Sequence, residues 1–133
     1  TNSAPPRPWT SSPAARISKR SACWSGRDHR NKEQTMNILI IDAQGGGVGR
    51  QLVLAIRERL PDADITAVGT NAAATSAMLK AGASRAATGE NAVVVCSRKA
   101  DVIVGAIGIV IADAMLGEIT PRMAAAVAVR VAE

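Results

Sequence analysis

The chain has 133 residues with no Tyr or Phe, two Trp, two Cys and one His, and it carries 16 basic against 11 acidic side chains. That length suits one domain, and Cys23 and Cys96, one in the leading segment and one in the core, make no disulfide framework, which fits a reducing cytoplasm. The net charge of +5 suggests nucleic acid only until it is divided at Met36: residues 1–35 hold seven cations and two acids, residues 36–133 nine of each, so the folding part is neutral and DNA or RNA is excluded as a partner on electrostatic grounds.

Residues 1–35 are rich in Pro, Ser and Arg and have no apolar period, so they cannot bury enough surface to fold. The lack of an apolar core region excludes a secretory signal, and the prolines and missing amphipathic stripe count against a transit peptide. The segment reads as a disordered or spuriously translated leader, with Met36 as the natural start. Lys32-Glu33 can be encoded AAG-GAG, a bacterial ribosome-binding sequence, with Gln34-Thr35 as the spacer; the codons at these positions test this. Both ends of the chain, Thr1 and Glu133, look cut.

From Met36 the elements alternate. Asn37–Asp42 is a β-branched run that reads as a fully buried strand. Val48 to Leu60 places Val48, Leu52, Ala55, Ile56 and Leu60 at helical spacing, and Pro61 ends it. Ile65–Val68 is a second strand closed by Gly69, and Asn71 caps a helix through Lys80 with Met78 and Leu79 facing in and Gly82 as its stop. Ser84–Ala87 is a short third strand. For residues 92–100, Val93, Val94 and Val95 favour a strand by propensity, but the position after Thr88-Gly89-Glu90-Asn91 and before the strong run Asp101–Gly105 favours a helix. Asp101–Gly105 is a buried strand, Ile107 to Leu116 continues apolar as a helix interrupted by Asp113, and Thr120-Pro121 starts a final helix from Met123 to Ala132. The run Val102–Leu116 is too short to span a membrane.

This alternation predicts an α/β, Rossmann-like three-layer sandwich with a small parallel sheet in the order 3-2-1-4 over residues 36–133. Ligands of such sheets lie at the carboxyl ends of the strands. Here those ends are Asp42–Gly49, Gly69-Thr70-Asn71, Thr88–Asn91 and Gly105–Gly108. A strand, a glycine turn and a helix start in that order hold a phosphate on backbone amides and the helix dipole. The expected binding residues are Asp42, Gln44, Gly45, Gly46, Gly47, Val48, Gly49, Thr70, Asn71, Thr88, Glu90, Asn91 and Gly105. The competing explanation of the glycines is a tight turn that only packs helix on strand.

Two nucleotide patterns compete for the turn. G-x-x-x-G-x-G fits Gly47 and Gly49 with Ala43 in place of the first glycine, which a turn tolerates if φ stays negative there. K-G-G-V-G-K-[ST] fits residues 45–51 less well, because Arg50 and Gln51 replace the lysine and the magnesium-holding hydroxyl. The dinucleotide-like pattern is better; it leaves the cofactor unknown, with NAD(P) or another nucleotide among the options. The acid that reads the ribose about twenty residues later is missing: Gly69-Thr70-Asn71 stands there, and Asn71 serves equally as a ribose contact or a plain helix cap.

Catalytic groups are scarce, since residues 36–133 have no Tyr and no His, which removes a zinc site and a Ser-His pair and leaves no metal expected. The candidates are Asp42, Glu90, Asp113, Glu118, Lys80 and Cys96, with Asp42 foremost as acid or base but more readily a turn cap, and Cys96 more readily a small buried hydrophobe. The strings IIDAQGGGVGRQL, VGTNAAATSAMLKAGA, ATGENAVVV and KADVIVGAIGIVIADAMLGEITPRMA together resemble the bacterial domain-of-unknown-function family 3842. The resemblance covers nearly all of Met36 to Ala128. It implies a Rossmann-like fold and a bacterial source, brings no activity with it, and departs at Ala43, where the family has Gly, and at Ala106, where it usually has Pro. It also implies a further C-terminal strand and helix. The expected function is a nucleotide- or dinucleotide-binding module with a phosphate-bearing small molecule as partner. The alternatives are an enzyme acting on a phosphorylated small molecule and a non-catalytic subunit that self-associates as a homo-oligomer.

Overall fold

A computed structural model describes residues 35–131; the leader expected over residues 1–35 lies, but for Thr35, outside them. Four parallel strands form one sheet: β1 (Asn37–Asp42), β2 (Asp64–Gly69), β3 (Arg85–Thr88) and β4 (Val102–Gly105), in the order β3-β2-β1-β4. Helices α1 (Gly47–Arg59), α2 (Ala72–Lys80) and α3 (Glu90–Ser97) connect them, a 3-10 turn (Ile107–Val110) follows β4, and α4 (Pro121–Val131) closes the described chain. The architecture is the expected Rossmann-like sandwich.

Side chains alternate across a strand, so the unbroken run Ile38–Ile41 feeds two cores. Ile38 and Ile40 meet Val53, Ile65, Ala67 and Met78 under α1 and α2, whereas Leu39 and Ile41 meet Val68, Val93, Ile119, Met123 and Val127 under α3 and α4. The chain winds outward from β1 to β3 over one face, then crosses back on the other to set β4 beside β1. Right-handed crossovers allow no other arrangement for this strand order. Residues 92–97 are helical despite three consecutive valines, because α3 must make that return crossing.

Local signals account for the ends of the helices. Asn71 accepts from the Ala74 N–H at 2.9 Å, and Thr120 Oγ1 accepts from the Met123 N–H at 3.2 Å. At the amino ends of the strands the Arg57 guanidinium ties two loops together, donating to the carbonyls of Pro61, Ala63 and Gly82 and to Ser84 Oγ.

Four details differ from expectation. On α1 the buried residues are Gly49 and Val53, while Val48 and Leu60 are exposed. The inward stripe is set by Gly49, which lets the helix close on β1. Leu79 is exposed, since α2 is short enough to bury only Ala74 and Met78. Strand β4 is half-buried rather than buried, being the sheet edge among the described residues, with Val102 exposed. Finally, residues 107–116 are not a helix containing Asp113. Past the 3-10 turn the backbone takes left-handed φ at Asp113 (63°), Met115 (56°) and Leu116 (58°), followed by Gly117 at 86°. Left-handed residues cannot propagate a right-handed helix.

Candidate functional site

The carboxyl end of β1 is built around Asp42. Its side chain is buried, and both oxygens are engaged: Oδ1 accepts from the Ala43 N–H at 2.8 Å and Oδ2 from the Gly49 N–H at 2.6 Å. Asp42 therefore braces the turn and the start of α1, which fits a turn cap better than an acid or base. The positive φ values fall on Gln44 (53°) and Gly46 (73°), so Ala43 keeps the negative φ that an alanine requires in place of glycine.

The glycines of the turn divide into two kinds. A Cβ on Gly46 would lie 2.7 Å from the Ala74 Cα, and one on Gly49 would lie 2.7 Å from Asp42 Cβ and 2.5 Å from Met78 Sδ. These two are required by packing. A Cβ on Gly45 or Gly47 would meet nothing within 4 Å, so packing explains neither. The first amides of a helix lack intrahelical acceptors. Among the described residues the Gly49 amide goes to Asp42, the Arg50 amide to the Gly46 carbonyl, and the amides of Gly45, Gly47 and Val48 to no protein acceptor. Gly46, the residue preceding α1, supplies no side-chain cap.

A second carboxylate completes the site. The connection from β4 to α4 (residues 106–120) returns across the top of the sheet and brings Glu118 to the end of β2. Its Oε2 accepts from the Gln44 N–H at 2.8 Å, the Thr70 hydroxyl at 2.5 Å and Asn71 Nδ2 at 3.2 Å. The Gln44 amide above all, and the Thr70 hydroxyl after it, hold its pKa below the ordinary carboxylate value of 4.5, against a small opposing effect of burial, with Asn71 adding to the lowering. Asn71 Nδ2 also donates to the Gln44 carbonyl at 2.8 Å. The asparagine is thus both helix cap and site residue.

The structure gathers Asp42, Gln44, Gly45, Gly46, Gly47, Val48, Gly49, Thr70 and Asn71 at one end of β1 and β2. Gly105 lies beside them in register with Ile41, its Cα packed so that a Cβ would approach the Ile41 carbonyl to 2.7 Å. The rest of the expected set makes other contacts. Thr88 shares a 2.7 Å hydrogen bond with Thr75, and Glu90 lies 4.0 Å from Arg122 of α4. Asn91 is an exposed residue in the first turn of α3. None of these three is bonded to the Gln44–Thr70–Asn71–Glu118 cluster. Sequence reasoning named Glu118 among the catalytic candidates but left it out of the expected binding set, missing its place beside Gln44, Thr70 and Asn71. No spacing rule brings residue 118 to residue 44, 74 residues apart in the chain.

A cavity of about 460 Å³ lies at the opposite end of the sheet, lined by Asn37, Thr66, Arg85, Cys96, Lys99 and apolar neighbours. Arg85 pairs there with Asp64. Neither the amides nor the carboxylates described above reach it, so volume and chemistry point to different places. The chemistry decides, because ligands of parallel sheets sit at carboxyl ends and convergent polar groups define a site.

No helix of the described residues is long and apolar enough to cross a membrane. The chain belongs to the family described as Domain of unknown function (DUF3842), whose pattern matches residues 37–133. No curated protein and no solved structure matches it.

Proposed function

We propose that this family member binds a nucleotide or dinucleotide by its phosphate groups, on the turn Gly45–Gly49 at the head of α1. The observation that carries the reading is the set of amides at Gly45, Gly47 and Val48 without a protein acceptor, beside two glycines that packing does not require. An anion placed there caps α1 and meets the positive end of its dipole. Gly45 and Gly47 have the use that glycine has in phosphate-binding turns, namely leaving the backbone bare to the ligand. Asp42 does not oppose this, since both its oxygens are already occupied by amides within the turn. The place fits the fold as well, because a parallel sheet presents its crevice at this end.

The test is a thermal-shift screen of the chain against NAD(H), NADP(H), ATP, GTP, flavins and sugar phosphates. Stabilisation by at least one nucleotide is expected. Gly47→Val should abolish it while leaving the unliganded melting temperature within a degree or two, because the added side chain enters open space and such surface changes stay within about 0.5 kcal/mol. No response to any phosphate compound would sink the reading. A second reading, a self-associating subunit, draws on the exposed Ile107, Ile111 and Leu116 of the β4–α4 connection; light scattering that finds only monomer excludes it.

A further inference from the structure

We infer that Glu118 is the ribose-reading carboxylate of this site: together with Thr70 it receives the 2′- and 3′-hydroxyls of a nucleotide whose phosphates lie on the glycine turn, and it selects an unphosphorylated ribose. The inference rests on the nucleotide reading of the turn and says which nucleotides the turn accepts.

Position comes first. In a dinucleotide-binding sheet, a ligand with its phosphates at the head of the first helix lays its ribose over the end of the second strand, where an Asp or Glu reads the hydroxyls. Here that strand ends in Gly69-Thr70-Asn71, with no acid. The structure fills the gap from 48 residues away: Glu118 bonds to Thr70 and Asn71, the two residues that follow β2. It also takes the Gln44 amide, which places it between the end of β2 and the phosphate turn.

Chemistry comes second. A carboxylate accepts only, with room for about four hydrogen bonds, so it suits a pair of hydroxyl donors and repels a phosphate. All three protein donors land on Oε2, and Oε1 has no partner among the described residues. One oxygen fixes the group and the other keeps acceptor capacity. Thr70 adds a hydroxyl that both donates and accepts. A 2′-phosphate would bring about −1.5 to −2 charges against this oxygen, which turns the preference into exclusion.

The backbone leading to Glu118 is the third observation. Asp113, Met115 and Leu116 all hold left-handed φ just before it, and Leu116 is 97% exposed, so no buried contact of its own side chain holds it there. Such conformations persist only where the surroundings impose them. They aim the chain so that Glu118 reaches Gln44 and Ile119 enters the core, where it is fully buried. The strain is spent on presenting one carboxylate at the end of β2.

Calorimetric titration of the 133-residue chain with NAD, NADP, ADP and 2′-deoxy-ADP tests the inference. NAD should bind at least about tenfold tighter than NADP, and ADP about tenfold tighter than 2′-deoxy-ADP, as charge-assisted hydrogen bonds to one group allow. Glu118→Gln, which keeps shape and removes charge, should weaken NAD and ADP by about tenfold, weaken 2′-deoxy-ADP, which keeps only the 3′-hydroxyl, by less, and bring NAD and NADP together. Thr70→Val should reduce the ADP preference without touching the NADP repulsion, and it stands in if Glu118→Gln fails to fold by circular dichroism. Equal binding of NAD and NADP by the unaltered chain, or equal weakening of all four probes in Glu118→Gln, means that Glu118 only latches the connection; that overturns the inference and leaves the turn a nucleotide site. Failure of every probe to bind the unaltered chain overturns the inference, and the proposed function falls with it when the wider screen of phosphate compounds is also silent.

Discussion

The turn at residues 42–49 and the connection at residues 106–120 both leave the carboxyl ends of strands, and they hold their shapes by different means. The turn is local. Its two buried bonds run from Asp42 to amides one and seven residues away, and its packed glycines close on α2. The connection is held from a distance. Its residues Asp113, Met115 and Leu116 take left-handed φ, its apolar side chains at Ile107, Ile111 and Leu116 face solvent, and it is tied down through Glu118 and Ile119. The difference teaches that two loops meeting at one end of a sheet need not share a source of order: one is held because it is short and packed, the other because its end is pinned.

Substitution separates the two. The largest effect is expected in the turn, where Gly49→Val drives a side chain into Asp42 and Met78 and should cost roughly 4 kcal/mol or more by urea denaturation. An unchanged midpoint would mean that the turn gives way more easily than its contacts imply. Asp42→Ala comes next. It strands the amides of Ala43 and Gly49, a loss of about 2–6 kcal/mol at 1–3 kcal/mol for each unsatisfied buried group. In the connection the sign reverses. Leu116→Gly removes an exposed side chain from a left-handed position and should stabilise by about 0.5–1 kcal/mol, the relief of strain exceeding the extra freedom of glycine in the unfolded chain.

The smallest effect is a slope. Glu118 has a folded-state pKa lowered below 4.5, so the stability it contributes is fully present above the unfolded value and is lost as pH falls through the lowered folded value. Glu118→Gln should therefore unfold with a shallower acid dependence below about pH 4.5 while matching the parent's dependence at neutral pH. Identical acid limbs for the two would remove Glu118 as a contributor.

Much of the turn was legible in the sequence because its determinants are local: Asp42, the glycines, Asn71 as cap and Thr120-Pro121 as helix start are all short-range signals. The sheet order followed from the alternation of elements and the handedness of crossovers. The connection was opaque for the opposite reason. Residues 107–116 are apolar enough to imitate a helix, and although Asp113 is a residue type that tolerates positive φ, nothing in Met115 or Leu116 announces it. Leu79 and Val48 misled in a similar way, since an apolar residue on a short helix reads as core whether or not the sheet extends beneath it. Glu118 required a contact across 74 residues, beyond any periodicity.

The Arg57 clamp has a consequence for motion. One guanidinium holds the carbonyls of both loops at the amino ends of β2 and β3, whereas the opposite end of the sheet carries the unfilled amides of the turn. The molecule is thus stapled at one pole and open at the other. In hydrogen exchange, amides near residues 62–65 and 82–84 should open only with the whole sheet, and any ligand-driven slowing should be confined to the pole of the glycine turn.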